Sequence, residues 1–215
     1  MMNIWSCAYI DENDNYTCYV NPTLWRTITS EQETHRMFAH ISKGSKFWIC
    51  ALGNPIVTEF DNSNSLFVPN WMLDQIDTKG DGEELQVLWM PSESFDHSTK
   101  IVLQSSDTSF ETTSIQDILS YELTKLAILQ KGTKIILNIE ELDGYTITYI
   151  VKNIEPASVV LCEGDEVCLK FYNEEEVKEQ KRPDTPFAFE PEPICFEPVE
   201  RFNPWRNKDF KPNIS

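Results

Sequence analysis

Three histidines, six cysteines and 35 carboxylates are the foremost side chains of this 215-residue sequence for binding a metal or moving a proton. His35 and His40 lie near Glu31 and Glu33, which invites a metal or acid–base reading. Their spacing fits no ligand pattern such as H-E-x-x-H, and they read as solvated surface residues. His97, within Ser94-Phe95-Asp96-His97-Ser98, would need a nucleophile in a strained turn and a third partner to build a Ser-His-Asp site. No G-x-S-x-G supplies that turn. Gly80-Asp81-Gly82 is an isolated G-x-G beside Glu83 and Glu84, the wrong charge for a phosphate, and reads as a flexible loop with positive φ. Asp11, Glu12 and Asp14 lack the central glycine and terminal glutamate of a calcium loop. Of Cys7, Cys18, Cys50, Cys162, Cys168 and Cys195, none forms a C-x-x-C pair, so a zinc ribbon is not expected. Cys50, Cys162 and Cys168 read as small core hydrophobes. The sequence thus assigns no catalytic residue, metal ligand or cofactor site, and the chain reads as noncatalytic.

Residues suited to docking are concentrated near the C-terminus. Seven of the 12 prolines follow Asn173 and no glycine does. Proline fixes φ and removes a donor, so residues 174–215 read as an extended, polyproline-like tail. Within it Phe187, Phe189 and Phe196 alternate with prolines and glutamates, and Phe202, Trp205, Arg206 and Phe210 form a basic, aromatic end. Spaced aromatics and arginine on an extended segment suit docking into a partner's groove. These seven residues are the candidate partner-binding site.

A formal net charge of −17 makes the chain a poor general ligand for nucleic acid or an anionic membrane. The first fifteen residues, MMNIWSCAYIDENDN, carry no basic n-region and no long apolar run, and no stretch approaches a membrane span. An intracellular, reduced protein, cytoplasmic or nuclear, is the expectation.

The elements that would position these groups are mainly strands. Cys18–Val20, Phe47–Leu52, Leu66–Val68, Leu85–Met90 and Lys100–Gln104 read as strands punctuated by Pro22, Pro55, Pro69 and Pro91. Leu24–Ile28 and Asn70–Ile76 read as helical turns, with Pro69 at the first helical position. Apolar residues at i, i+3, i+4 spacing predict a helix over Ser114–Gln130, stopped by Gly132. Lys134–Ile139 and Tyr145–Val151 flank Asp143-Gly144, a hairpin turn. Val159–Cys162 and Val167–Tyr172 suggest a second strand pair. This order points to two packed α+β or β-barrel subdomains rather than a βαβ parallel sheet.

Phe67-Val68-Pro69-Asn70-Trp71-Met72-Leu73, a short strand running into V-P-x-W-M, resembles the middle of the N-terminal domain of the ubiquitin fusion degradation family. Leu85–Leu88, Lys100–Gln104, Leu126–Ile135, Tyr145–Val151, Glu155–Val159 and Val167–Phe171 are similar to later segments of that domain in the same order. Cys18–Leu24 resembles its strand-then-proline segment more weakly, and the likeness covers residues 15–173. The resemblance implies an α+β, mainly β fold: a double-psi β-barrel over residues 1–104 and a smaller α/β roll over 105–173, before the tail. In the family this domain binds ubiquitin chains within an adaptor that delivers ubiquitylated clients to an unfolding AAA ATPase. The family's Phe-x-Gly-x-Gly ATPase-docking segments are missing from the glycine-free tail. Two functions are therefore expected. One is a noncatalytic ubiquitin-binding adaptor or accessory factor, with ubiquitin chains or an AAA ATPase complex as partners. The other is a structural or assembly component of a large particle, such as a capsid, docked through its tail.

Overall fold

The computed structural model describes residues 1–12, 16–29, 36–58, 64–105, 116–139, 144–162 and 168–171; for residue 116 and for 168–171 the backbone alone is described. The chain divides after Glu174 into two units, and everything described belongs to the first.

Six strands build the first sheet: β1 (Met2–Ser6), β2 (Thr17–Cys18), β3 (Met37–Lys43), β4 (Lys46–Leu52), β5 (Ser65–Val68) and β6 (Asp81–Pro91). Their spatial order is β2-β4-β3-β6-β1-β5. β1 runs parallel to β5 and β2 parallel to β4, while the β4–β3–β6–β1 joins are antiparallel. The end strands β2 and β5 form no ladder with each other; one isolated antiparallel bridge joins Tyr19, just past β2, to Phe67 of β5. Prolines explain why it goes no further. Pro22 opens α1 (Pro22–Thr29) soon after β2, and Pro69 stops β5.

The remaining strands are β7 (Asp96–His97), β8 (Lys100–Ser105), β9 (Ile128–Gln130), β10 (Lys134–Ile139), β11 (Tyr145–Glu155), β12 (Val159–Leu161) and β13 (Cys168–Phe171). They form a four-stranded sheet, β10-β11-β8-β13, and a three-stranded one, β7-β12-β9. The expected double-psi β-barrel with an appended α/β roll is therefore corrected: the topology is mixed α+β with open, unclosed sheets.

The sequence reading is corrected in four further places. The helix α3 spans Gln116–Leu126 rather than reaching Gln130. Ala127 leaves the helix at φ +69°, and Ile128–Gln130 becomes β9 because β12 offers it a ladder. Gly132, at φ +82°, serves the turn into β10 and donates its N–H to the Val151 carbonyl. β12 and β13 are not partners: β12 pairs with β9 and β7, and β13 runs parallel to β8. Pro69 lies one position before α2 (Asn70–Leu73), with ψ 141° continuing the extended strand. The supposed Gly80–Gly82 loop opens β6. Gly80 and Gly82 both have positive φ, and a Cβ on Gly82 would stand 2.7 Å from the Trp5 ring.

One large core cluster draws on residues from Met2 to Cys162, including Ile4, Ile41, Leu66, Leu103, Leu123 and Tyr149. Trp71 and Met72 belong here: Met72 is buried, and Trp71 meets Trp48 edge-on at 5.6 Å. A polar contact ties the N-terminal strands to α3. Tyr16 donates its hydroxyl hydrogen to the buried Glu122 carboxylate at 2.8 Å and accepts the Asn138 N–H at 2.7 Å. Lys125 ion-pairs with the other Glu122 oxygen at 2.8 Å, so the buried charge is compensated.

Candidate functional site: an aromatic cleft beside α1

α1 is a short amphipathic helix with no fully buried residue; Leu24, Trp25 and Ile28 lay one face on the core. Asn21 starts it, its side-chain oxygen accepting the Leu24 N–H at 2.8 Å. Beside this helix lies a cleft of about 360 Å³, whose walls include Tyr19, Trp25, Arg36, Leu52, Gly53 and Asn54.

Each wall is held in place by a different device. The Trp25 indole N–H donates to the Gly53 carbonyl at 3.1 Å, which fixes the ring across the end of β4. Gly53 in turn donates its N–H to the Cys18 carbonyl at 2.8 Å. A Cβ at Gly53 would stand 2.8 Å from Thr17 Oγ1 and 2.9 Å from the Tyr19 ring, so only glycine lets the strands approach this closely. Burial pushes the Tyr19 phenol above its ordinary pKa, opposed by its hydrogen bond with Thr17; the group is a neutral hydroxyl at physiological pH. Arg36 reaches the C-terminal end of α3, its Nη2 donating to the Lys125 carbonyl at 3.5 Å. The cleft thus combines aromatic and aliphatic walls with a guanidinium and hydroxyls, on a chain whose net charge is −17. Such a surface has the chemistry to accommodate an apolar side chain flanked by a carboxylate or a peptide carbonyl.

The residues singled out in the sequence lie elsewhere. Phe187, Phe189, Phe196, Phe202, Trp205, Arg206 and Phe210 fall outside the described residues, as do His35, Glu31, Glu33 and Asp14. His40 is not a solvated surface residue but half-buried in β3, its ring stacked on Phe47 at 5.0 Å. His97 is exposed in β7. Cys7, Cys18, Cys50 and Cys162 are buried. Burial pushes the Cys7 thiol far up, and contact with Cys18 together with burial raises Cys50. Among the described residues no group of three or more His, Cys, Asp or Glu side chains is placed to hold a metal ion, and no helix is long and apolar enough to cross a membrane. Trp25, Tyr19, Gly53 and Arg36 do not stand out as a group in the sequence. The available signal was Trp25 just after Asn21-Pro22, a large aromatic on a helix too short to bury it.

Compared with models of known protein families the chain matches none, and no curated protein is significantly similar to it.

Proposed function

We propose that this chain is a noncatalytic protein-binding module whose first unit works as a ubiquitin-binding adaptor or accessory factor. The observation that carries the binding role is the Trp25 cleft, in which an indole is clamped by a backbone carbonyl next to a guanidinium. Tryptophan and arginine in a preformed concavity are the side chains that most often dominate protein interfaces. The choice of ubiquitin chains rests on the ordered resemblance of residues 15–173 to the ubiquitin fusion degradation family. Titrating labelled protein with ubiquitin chains gives saturable binding, weakened roughly 30-fold or more by Trp25→Ala, as expected for a central anchor. No response at high ubiquitin concentration sinks the reading.

A second reading, a structural or assembly component, is favoured by the tail. Its aromatics and arginines sit in a proline-rich, glycine-free segment. In this reading the protein is found at fixed stoichiometry in a large particle, and fractionation of its native source separates the two: a wholly free pool counts against assembly.

A further inference from the structure

A second cavity, of about 310 Å³, opens between α2 and β10, and Tyr16, Asn70, Trp71, Asp74, Ile136 and Asn138 line it. β10 is an end strand of its sheet, so one row of its backbone groups faces away from β11. Two outward amides are already used. Lys134 N–H donates to Gln75 Oε1 at 3.3 Å, and Asn138 N–H donates to the Tyr16 hydroxyl at 2.7 Å. Strand alternation turns the Ile136 N–H and C=O to that same side, between those two capped positions. Ile136 is therefore the residue of that row with both backbone groups on offer, too little for an added strand.

The polar groups around Ile136 are one-sided in charge. Asp74 supplies a carboxylate that makes no salt bridge among the described residues, and no Lys, Arg or His lines the cavity. The Asn138 amide oxygen is buried without a hydrogen-bond partner, on a residue that lines the cavity. Trp71, held edge-on by Trp48, adds an electron-rich ring.

We infer that this cavity binds a cationic group on an aliphatic stem: the guanidinium or ammonium of an arginine- or lysine-like side chain. Asp74 neutralises the charge, the Ile136 carbonyl and Asn138 oxygen accept its hydrogens, and Trp71 packs along the stem. The acidity of the whole chain raises the local concentration of such a ligand. This site is separate from the Trp25 cleft and stands or falls independently of it.

The test uses the full chain, ¹⁵N-labelled, titrated with N-acetyl-arginine methylamide, with its neutral citrulline counterpart, and with a Gly-Gly-Arg-Gly-Gly peptide. The expected result is saturable shifts of the Ile136 amide and Trp71 indole signals with both arginine probes and none with citrulline. Asp74→Asn weakens binding about tenfold or more, while Asp77→Asn, which removes an exposed carboxylate outside the cavity, leaves it unchanged. Tighter binding of the peptide assigns the cation to a protein segment and equal binding to a free small molecule; either supports the site. Equal shifts with citrulline, or equal weakening by both Asp variants, overturn it.

Discussion

At the scale of single residues, burial sets how this fold responds to alkali. Tyr149 is fully buried in the shared core, and burial pushes its phenol up to about 12. Below about pH 10 the phenol is protonated in both folded and unfolded chains, so folding loses nothing to it. Between about pH 10 and about 12 the unfolded chain releases this proton while the folded one keeps it, so stability falls as pH rises. Urea titrations across that window should show a loss on the order of 2 kcal/mol from this group, and Tyr149→Phe should flatten that part of the slope. An identical slope in the variant would place the alkaline sensitivity elsewhere, with Tyr19 and Cys7 the next groups held neutral by burial.

At the scale of elements, the join between α3 and β9 shows where local pattern yields to tertiary pairing. The apolar spacing of Ile118, Leu119, Leu123 and Leu126 was legible as a helix, and those residues do face the core. The same run continues through Ala127, Ile128 and Leu129, which a periodicity argument cannot separate from more helix. Pairing with β12 separates them, and the Cys162 N–H donates to the Ala127 carbonyl at 2.8 Å. Ala127 pays with a left-handed φ of 69° while fully buried. Ala127→Val should therefore cost about 2 kcal/mol or more, read as a lower urea midpoint with unchanged slope, because a β-branched side chain tolerates that region poorly. Stability equal to the parent would contradict the account of this join. β4, β5, α1 and the β10–β11 hairpin were readable because proline, glycine or Asp-Gly marks their ends. β1 and β3 were missed. The alternation of Met2 and Ile4 against Asn3 and Trp5 was present in the sequence, but five residues of it do not stand out. In β3 the polar His40, Ser42 and Lys43 disguised a strand whose other residues, from Met37 to Ile41, are buried.

At the scale of the whole molecule, the barrel expected by resemblance fails for a reason that no single motif carries. Whether six strands close depends on how β2 and β5 meet, and their short lengths leave only the bridge of Tyr19, just past β2, to Phe67. The V-P-x-W-M segment survives as packing: Val68, Met72 and Leu73 are buried and Trp71 leans on Trp48. The cleft was less legible than the fold, since Tyr19, Trp25, Arg36 and Gly53 come from separate segments and meet only after folding. The tail belongs to the second reading, so deleting residues 184–215 should abolish an assembly complex while the far-ultraviolet circular dichroism and melting temperature of the rest stay unchanged. An unaltered pull-down from the truncated chain would remove the tail's role. The binding claim itself is tested most directly by titrating the ¹⁵N-labelled full chain with ubiquitin chains and mapping the perturbed signals. Saturable changes centred on the Trp25 indole N–H, the Gly53 amide and the Arg36 guanidinium are expected. Changes confined to other surfaces, or none at saturating ubiquitin, would contradict the binding claim.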